Sequence, residues 1–334
     1  MEFHHVAIDT VVHVDAPIRL TSADVVRRLQ PALDRWGIRG NLLEDVAGIH
    51  ARRVWDGPMQ VADAATMAAR EALARSGVPP ERIGVLISTS VSRDYLEPST
   101  ASVVHGNVGL SSTCQNFDVG NACLAFLSGM DIAGRMIERG EIEYALIVDG
   151  EVSNEIIERT VDRLSAADAT ADQFRAEFAS LTLGSGAAAM VLGNRDQVVG
   201  GHRYLGGVTR AATAYSHLCR GNMDRMVTDT RMLLEEGLKL AATTFQAAGW
   251  AGSAFDEYVV HQVSRVHTDA LVKLLDIDPA RVLTVFGEHG NIGPAAVPIA
   301  LSKLNEMGRL HEGMRVALMG IGSGLNCSMA EVVW

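Results

Sequence analysis

Four side chains stand out as chemically capable: Cys123 in Phe117-Asp-Val-Gly-Asn-Ala-Cys123, His261 after Tyr258-Val-Val, Asn291 in Gly287-Glu-His-Gly-Asn291, and Glu97 in Tyr95-Leu-Glu-Pro98. Cys123 opens a helical pattern, and a thiol there feels the helix dipole and free N–H groups. Such a position can lower its pKa to roughly 3.5–7.5, which would make it a nucleophile. The plain alternative is a small buried core residue, and this suits Cys114, Cys219 and Cys327 well. His261, at a strand end, has the chemistry to hold a thiolate or move a proton. His289 is a rival that spacing does not separate from it. Asn291 offers an amide hydrogen bond to a developing oxyanion. Beside Gly290 it equally suits a helix cap or a left-handed turn. Glu97 would act as a base if an apolar pocket raised its pKa. From spacing alone it reads as a solvated loop acid. The turn Gly322-Ser-Gly324 lets backbone approach a ligand closely.

Composition narrows the setting. The chain has 334 residues, 48% apolar and 21% charged, the balance of a packed globular protein. A net charge of -11 argues against a nucleic-acid surface, which needs clustered Lys and Arg. Four cysteines without a CxxC pair give neither a disulfide framework nor a metal site. The start carries no signal-peptide pattern, and Val316 to Ala330 is too short to span a membrane, so we expect no integral membrane segment and a cytoplasmic protein. Glycine is plentiful and aromatics are only 5%, which favours closely approaching backbones.

The elements that would position these residues alternate. Apolar strand-length runs at 83–88, 144–148, 258–260 and 315–319 lie among helical patterns at 62–76, 124–139, 232–248 and 299–307, an α/β arrangement with substantially parallel sheets. A polar insertion occupies roughly 155–177. The two halves also resemble each other. Cys123 and Asn291 fall 168 positions apart, as do Gly140 and Gly308, each pair at the start and end of a helical pattern. Ser88-Thr-Ser-Val-Ser-Arg93 matches Val260-His-Gln-Val-Ser-Arg265 at an offset of 172. An internal duplication follows, with halves at 1–195 and 196–334. Equivalent loops would then meet at the carboxyl ends of strands, where open α/β sheets place ligands.

Asp118-Val-Gly-Asn-Ala-Cys123, His261-Gln-Val-Ser and His289-Gly-Asn291-Ile-Gly-Pro-Ala-Ala-Val-Pro298 resemble the three active-site segments of the KAS III-type ketoacyl synthases of the thiolase superfamily. Gly48-Ile-His-Ala-Arg-Arg53 and Leu183-Gly-Ser-Gly-Ala-Ala-Ala are similar to two of that group's scaffold motifs. The stretches 91–102 and 219–230 look like its branch that joins two long-chain acyl-CoAs head to head.

The resemblance implies a thiolase-like, internally duplicated αβαβα five-layer fold. It implies an acyl-Cys intermediate on Cys123, with His261 and Asn291 as its partners. The Cys123 and Ser323 amides would form the oxyanion hole, and Glu97 would act as a base delivered across a homodimer interface. A base is needed because a plain acyl-CoA, unlike a malonyl group, must lose a Cα proton. The expected reaction is a non-decarboxylative Claisen condensation giving a 2-alkyl-3-oxo acid, for head-to-head hydrocarbon or β-lactone biosynthesis. It needs no cofactor beyond coenzyme A thioesters as substrates and no metal, and downstream pathway enzymes would be partners. The alternatives are a decarboxylating synthase using malonyl-carrier protein, a thioester hydrolase, or a non-catalytic acyl-binding subunit. Two positions depart from the family's pattern: Ser264 stands where an Asn is usual, and Ser185 where an acid is. Ser264 and Arg265 are the weak candidates for substrate contacts, and the CoA phosphates have no assigned partner.

Overall fold

Alternate residues of the inner strands face different apolar cores, as they do in sheets covered on both sides. Val85 and Ile87 enter one core and Leu86 a second; Val259 shares the first, while Tyr258 and Val260 enter a third. The computed structural model in which this is seen describes residues 2–222, 224–253 and 255–334. Met223, in the 219–230 stretch, lies outside the described residues.

Nine strands hydrogen-bond in the order Glu257–Val260, Arg315–Gly322, Asn326–Val333, His202–Ala211, Val6–Asp15, Gly186–Asn194, Tyr144–Glu151, Ile83–Ser88 and Gln115–Asp118. In effect these are two sheets, because the join between Val6–Asp15 and His202–Ala211 consists of Ala7 with Arg203 and Ile8 with His202. Between them lie helices Ala125–Glu138 and Ala296–Glu306, with Leu127, Met130, Leu301 and Leu318 in one core. Helices Val61–Ser76 and Thr100–Val108 cover one outer face, and Thr230–Ala247 and Arg265–Leu274 the other. The order helix, sheet, helix, sheet, helix is the five-layer duplicated fold expected.

The strand directions differ from expectation. Parallel pairing joins Ile83–Ser88 to Gln115–Asp118 and to Tyr144–Glu151, and Glu257–Val260 to Arg315–Gly322. The remaining neighbours are antiparallel. Arg315–Gly322 and Asn326–Val333, for example, are joined by a tight turn with no crossover helix to reverse the chain. The expected helix at 299–307 begins earlier, at Ala296, because Pro298 falls in its first turn, where a missing N–H costs no helical hydrogen bond. The polar insertion forms helices Asn154–Ser165 and Ala171–Glu177. They bury Ile157, Val161, Leu164 and Phe174 against Val25, Leu29 and Leu33. Among the described residues, no helix is long and apolar enough to cross a membrane, and no group of three His, Cys, Asp or Glu side chains is placed to hold a metal ion.

Candidate active site

After strand Gln115–Asp118 the chain turns through Ala122, whose φ is 46°, into a 3-10 turn at Ala122–Leu124 and then helix Ala125–Glu138. A left-handed alanine costs about 1–3 kcal/mol and persists only where its surroundings enforce it. They do so here: Asn121 donates to Ser128 Oγ at 2.9 Å and accepts from Asn326 Nδ2 at 2.8 Å, tying the turn to both halves. The neighbouring strand must be bare to let the turn in. A Cβ at Gly320 would lie 2.5 Å from Leu124, and one at Gly322 would lie 3.2 Å from the Asn121 carbonyl oxygen.

Cys123 therefore sits where a nucleophile was expected, but not as a thiolate. Burial pushes its thiol up to about 12, and the nearby Cys219, Glu151 and Asp149 push the same way. Desolvation outweighs the helix start, so the fall in pKa that such a position can give is corrected to a rise.

His261 follows strand Glu257–Val260, its N–H bonded to the Met319 carbonyl at 2.8 Å. Burial pulls its imidazole down to about 4, with the Asn291 side chain acting to raise it and His267 to lower it. It is a neutral ring. Gln262, 1% exposed, was not singled out in the sequence, yet it holds two active-site segments together. It donates to the Leu283 carbonyl at 2.6 Å and accepts from the Val285 N–H at 2.7 Å and the Phe286 N–H at 3.2 Å. Asn291 is fixed by its N–H to the Thr182 carbonyl at 2.8 Å, and its Oδ1 accepts the Gly293 N–H at 3.0 Å. Its Nδ2 is thereby the end available to a ligand oxygen.

Cys123, His261, Asn291 and Ser323 line one cavity. Its walls are apolar, with Leu233, Leu238, Leu271, Ile321 and, from the hairpin Cys219–Gly221 and Met226–Thr228, Met226. Three segments far apart in sequence thus bring a thiol, a neutral imidazole and an amide to the lining of one apolar-walled cavity.

The 3-oxoacyl-[acyl-carrier-protein] synthase III family model matches residues 117–205, and its C-terminal model matches 245–334. The chain is 62% identical, over the whole length of both proteins, to the acyl-CoA:acyl-CoA alkyltransferase of Xanthomonas campestris pv. campestris. It belongs to the OleA family of KAS III-like acyl-CoA:acyl-CoA alkyltransferases. The alkyltransferase of Shewanella oneidensis is 32% identical over both full lengths. The cerulenin-bound crystal structure of Xanthomonas OleA superimposes with a TM-score of 0.99, covering 100% of this chain and 98% of that one. A cysteine-to-serine variant of the same OleA, with lauric acid and lauroyl-CoA bound, superimposes at 0.98 with 62% identity, covering 99% and 100%.

Against this OleA-family frame the remaining candidates divide. His289 is separated from His261: its ring contacts the Asp15 carboxylate at 3.1 Å and lines a different, surface hollow. Arg265 lines that hollow too, its guanidinium bonded to the Asp45 carbonyl, and Ser264 spends its hydroxyl on His267 Nδ1 at 2.9 Å. Neither Ser264 nor Arg265 is among the described residues lining the Cys123 cavity, and nor is Glu97. Glu97 is exposed on a loop over residues 91–98, beside Leu96, which is 93% exposed. Asp149 and Glu151 were missed. The available signal was two acids, two residues apart, ending an otherwise apolar strand.

Proposed function

We propose that the protein condenses two long-chain acyl-CoAs without decarboxylation, through an acyl-Cys123 intermediate. The observation that carries this reading is the convergence of Cys123, His261 and Asn291 on one apolar-walled cavity. The thiol, held protonated by burial, gives its proton to neutral His261 as the sulfur attacks the thioester, and the proton leaves with the CoA sulfur. The Cys123 and Ser323 amides hold the acyl oxygen. Glu97, from the other subunit of a homodimer, then removes the α-proton of a second acyl-CoA, and His261 and Asn291 stabilise its enolate. The enolate carbon attacks the acyl-Cys carbonyl and expels the Cys123 thiolate, which is reprotonated; water then hydrolyses the remaining CoA thioester, releasing CoA and a 2-alkyl-3-oxo acid.

Exposure of Glu97 beside Tyr95 and Leu96 in a single chain supports its presentation to a second copy. Solved Xanthomonas OleA structures carry substitutions of a cysteine, a glutamate and a histidine, the residue types of Cys123, Glu97 and His261. On this reading the enzyme is cytoplasmic, takes coenzyme A thioesters without a bound cofactor, and divides into halves at 195/196. Ser264 and Arg265, outside the lining of the Cys123 cavity, would contact only parts of the substrate that extend beyond it.

Purified protein given lauroyl-CoA alone should release CoA and form the 2-alkyl-3-oxo acid. Free lauric acid as the sole product, or unimpaired condensation by Glu97→Ala, would overturn the assignment.

A further inference from the structure

The chemistry above does not use Glu151. It ends strand Tyr144–Glu151, is 6% exposed, and spends both oxygens on one segment. Oε1 accepts the Val91 N–H at 2.6 Å; Oε2 accepts the Ser92 hydroxyl at 2.6 Å and the Ser92 N–H at 3.3 Å. These residues open the loop whose tip is Glu97. On its other side the carboxylate lies against the Asn291 turn, where a Cβ at Gly293 would sit 3.7 Å from Cδ and 3.8 Å from Oε1. Gly293 supplies the N–H that orients Asn291. Two residues earlier on the same strand, Asp149 accepts from Thr89 Oγ1 at 2.6 Å. A buried carboxylate is costly unless it is hydrogen-bonded, and here its bonds go to the root of one loop.

We infer that Glu151 is a positioning residue for the condensation step: it fixes the loop that delivers Glu97 to the neighbouring subunit and braces that loop against the Asn291 turn. The inference rests on the reading of Glu97 as the base. Acylation of Cys123 uses the thiol, His261 and the backbone amides and does not need the loop. A displacement of about 1 Å in a base costs on the order of 10²-fold in rate, so loosening the loop should fall selectively on condensation.

With lauroyl-CoA as probe, the initial burst of CoA release reports acylation and the 2-alkyl-3-oxo acid reports condensation. Glu151→Gln should keep the burst rate within about threefold of wild type while condensation kcat falls about tenfold or more. Glu151→Asp, which keeps both oxygens, should recover part of that loss. Ser92→Ala, which removes one hydroxyl, should lower condensation less, and it decides the matter if Glu151→Gln does not fold. Equal losses in both steps, or unchanged condensation in Glu151→Gln and Ser92→Ala, would overturn the inference. A wild-type protein that makes no condensation product, or a fully active Glu97→Ala, would instead overturn the reading beneath it.

Discussion

The turns at Cys123 and Asn291 are two copies of one backbone device put to different uses. Each follows a residue of positive φ, Ala122 at 46° and Gly290 at 70°, and each leads through a 3-10 turn into a central helix. The partner positions match as well: the Thr89 N–H bonds the Val148 carbonyl at 2.9 Å as the His261 N–H bonds the Met319 carbonyl at 2.8 Å. The next strand then differs. In the C-terminal half it carries Gly320 and Gly322, which admit the Cys123 turn; in the N-terminal half the matching places hold Asp149, bonded to Thr89, and Glu151, packed against the Asn291 turn. Duplication supplied the frame, and substitution on it separated a thiol end from an acid-braced end.

The largest effect should come from splitting the two turns chemically. Cys123→Ala should abolish both CoA burst and condensation, by more than about 10³-fold, whereas Asn291→Ala should keep the burst and lower condensation about 10²-fold. Equal loss of the burst in both variants would show that the turns do not divide the reaction.

A stability contrast comes next. Gly290→Ala forces a Cβ to within 2.6 Å of the Thr182 carbonyl oxygen at positive φ, and it should cost more than about 2 kcal/mol in denaturant unfolding. Ala122→Gly relieves strain but frees the unfolded chain, so it should change stability by less than about 1 kcal/mol. Thr89→Val strips buried Asp149 of its hydroxyl donor and should cost about 1–3 kcal/mol.

The smallest effect is one of pH. His261 and His202 are held near 4 by burial, against 6.5 for the free side chain. The unfolded state therefore binds more protons between those values, and stability falls as pH drops through that window. Asp149 and Glu151 are raised by burial, so the folded state holds the extra proton and stability falls as pH rises above the usual carboxylate range. Tm measured across pH should lose part of its acid limb in His261→Asn and part of its upper limb in Glu151→Gln.

Much of this was legible in the sequence because it is local. Cys123 before a helical pattern, His261 after an apolar strand, and the 168-residue echo between Cys123 and Asn291 are properties of short segments and their spacing. Periodicity likewise located the helices and inner strands, since side chains repeat with the geometry that buries them. Spacing did not separate His261 from His289, since both follow reasonable local patterns; the family resemblance pointed to His261, and in the tertiary structure only His261 lines the Cys123 cavity. Only the tertiary structure decided the protonation of Cys123: a helix start is visible in sequence, but desolvation depends on which distant residues close over the thiol. Glu151 was hidden for the same reason, its meaning lying in contacts to Val91, Ser92 and Gly293. The sequence by itself determined which groups were available and on which elements; convergence and burial, set by contacts between remote segments, determined which of them meet and in what charge state.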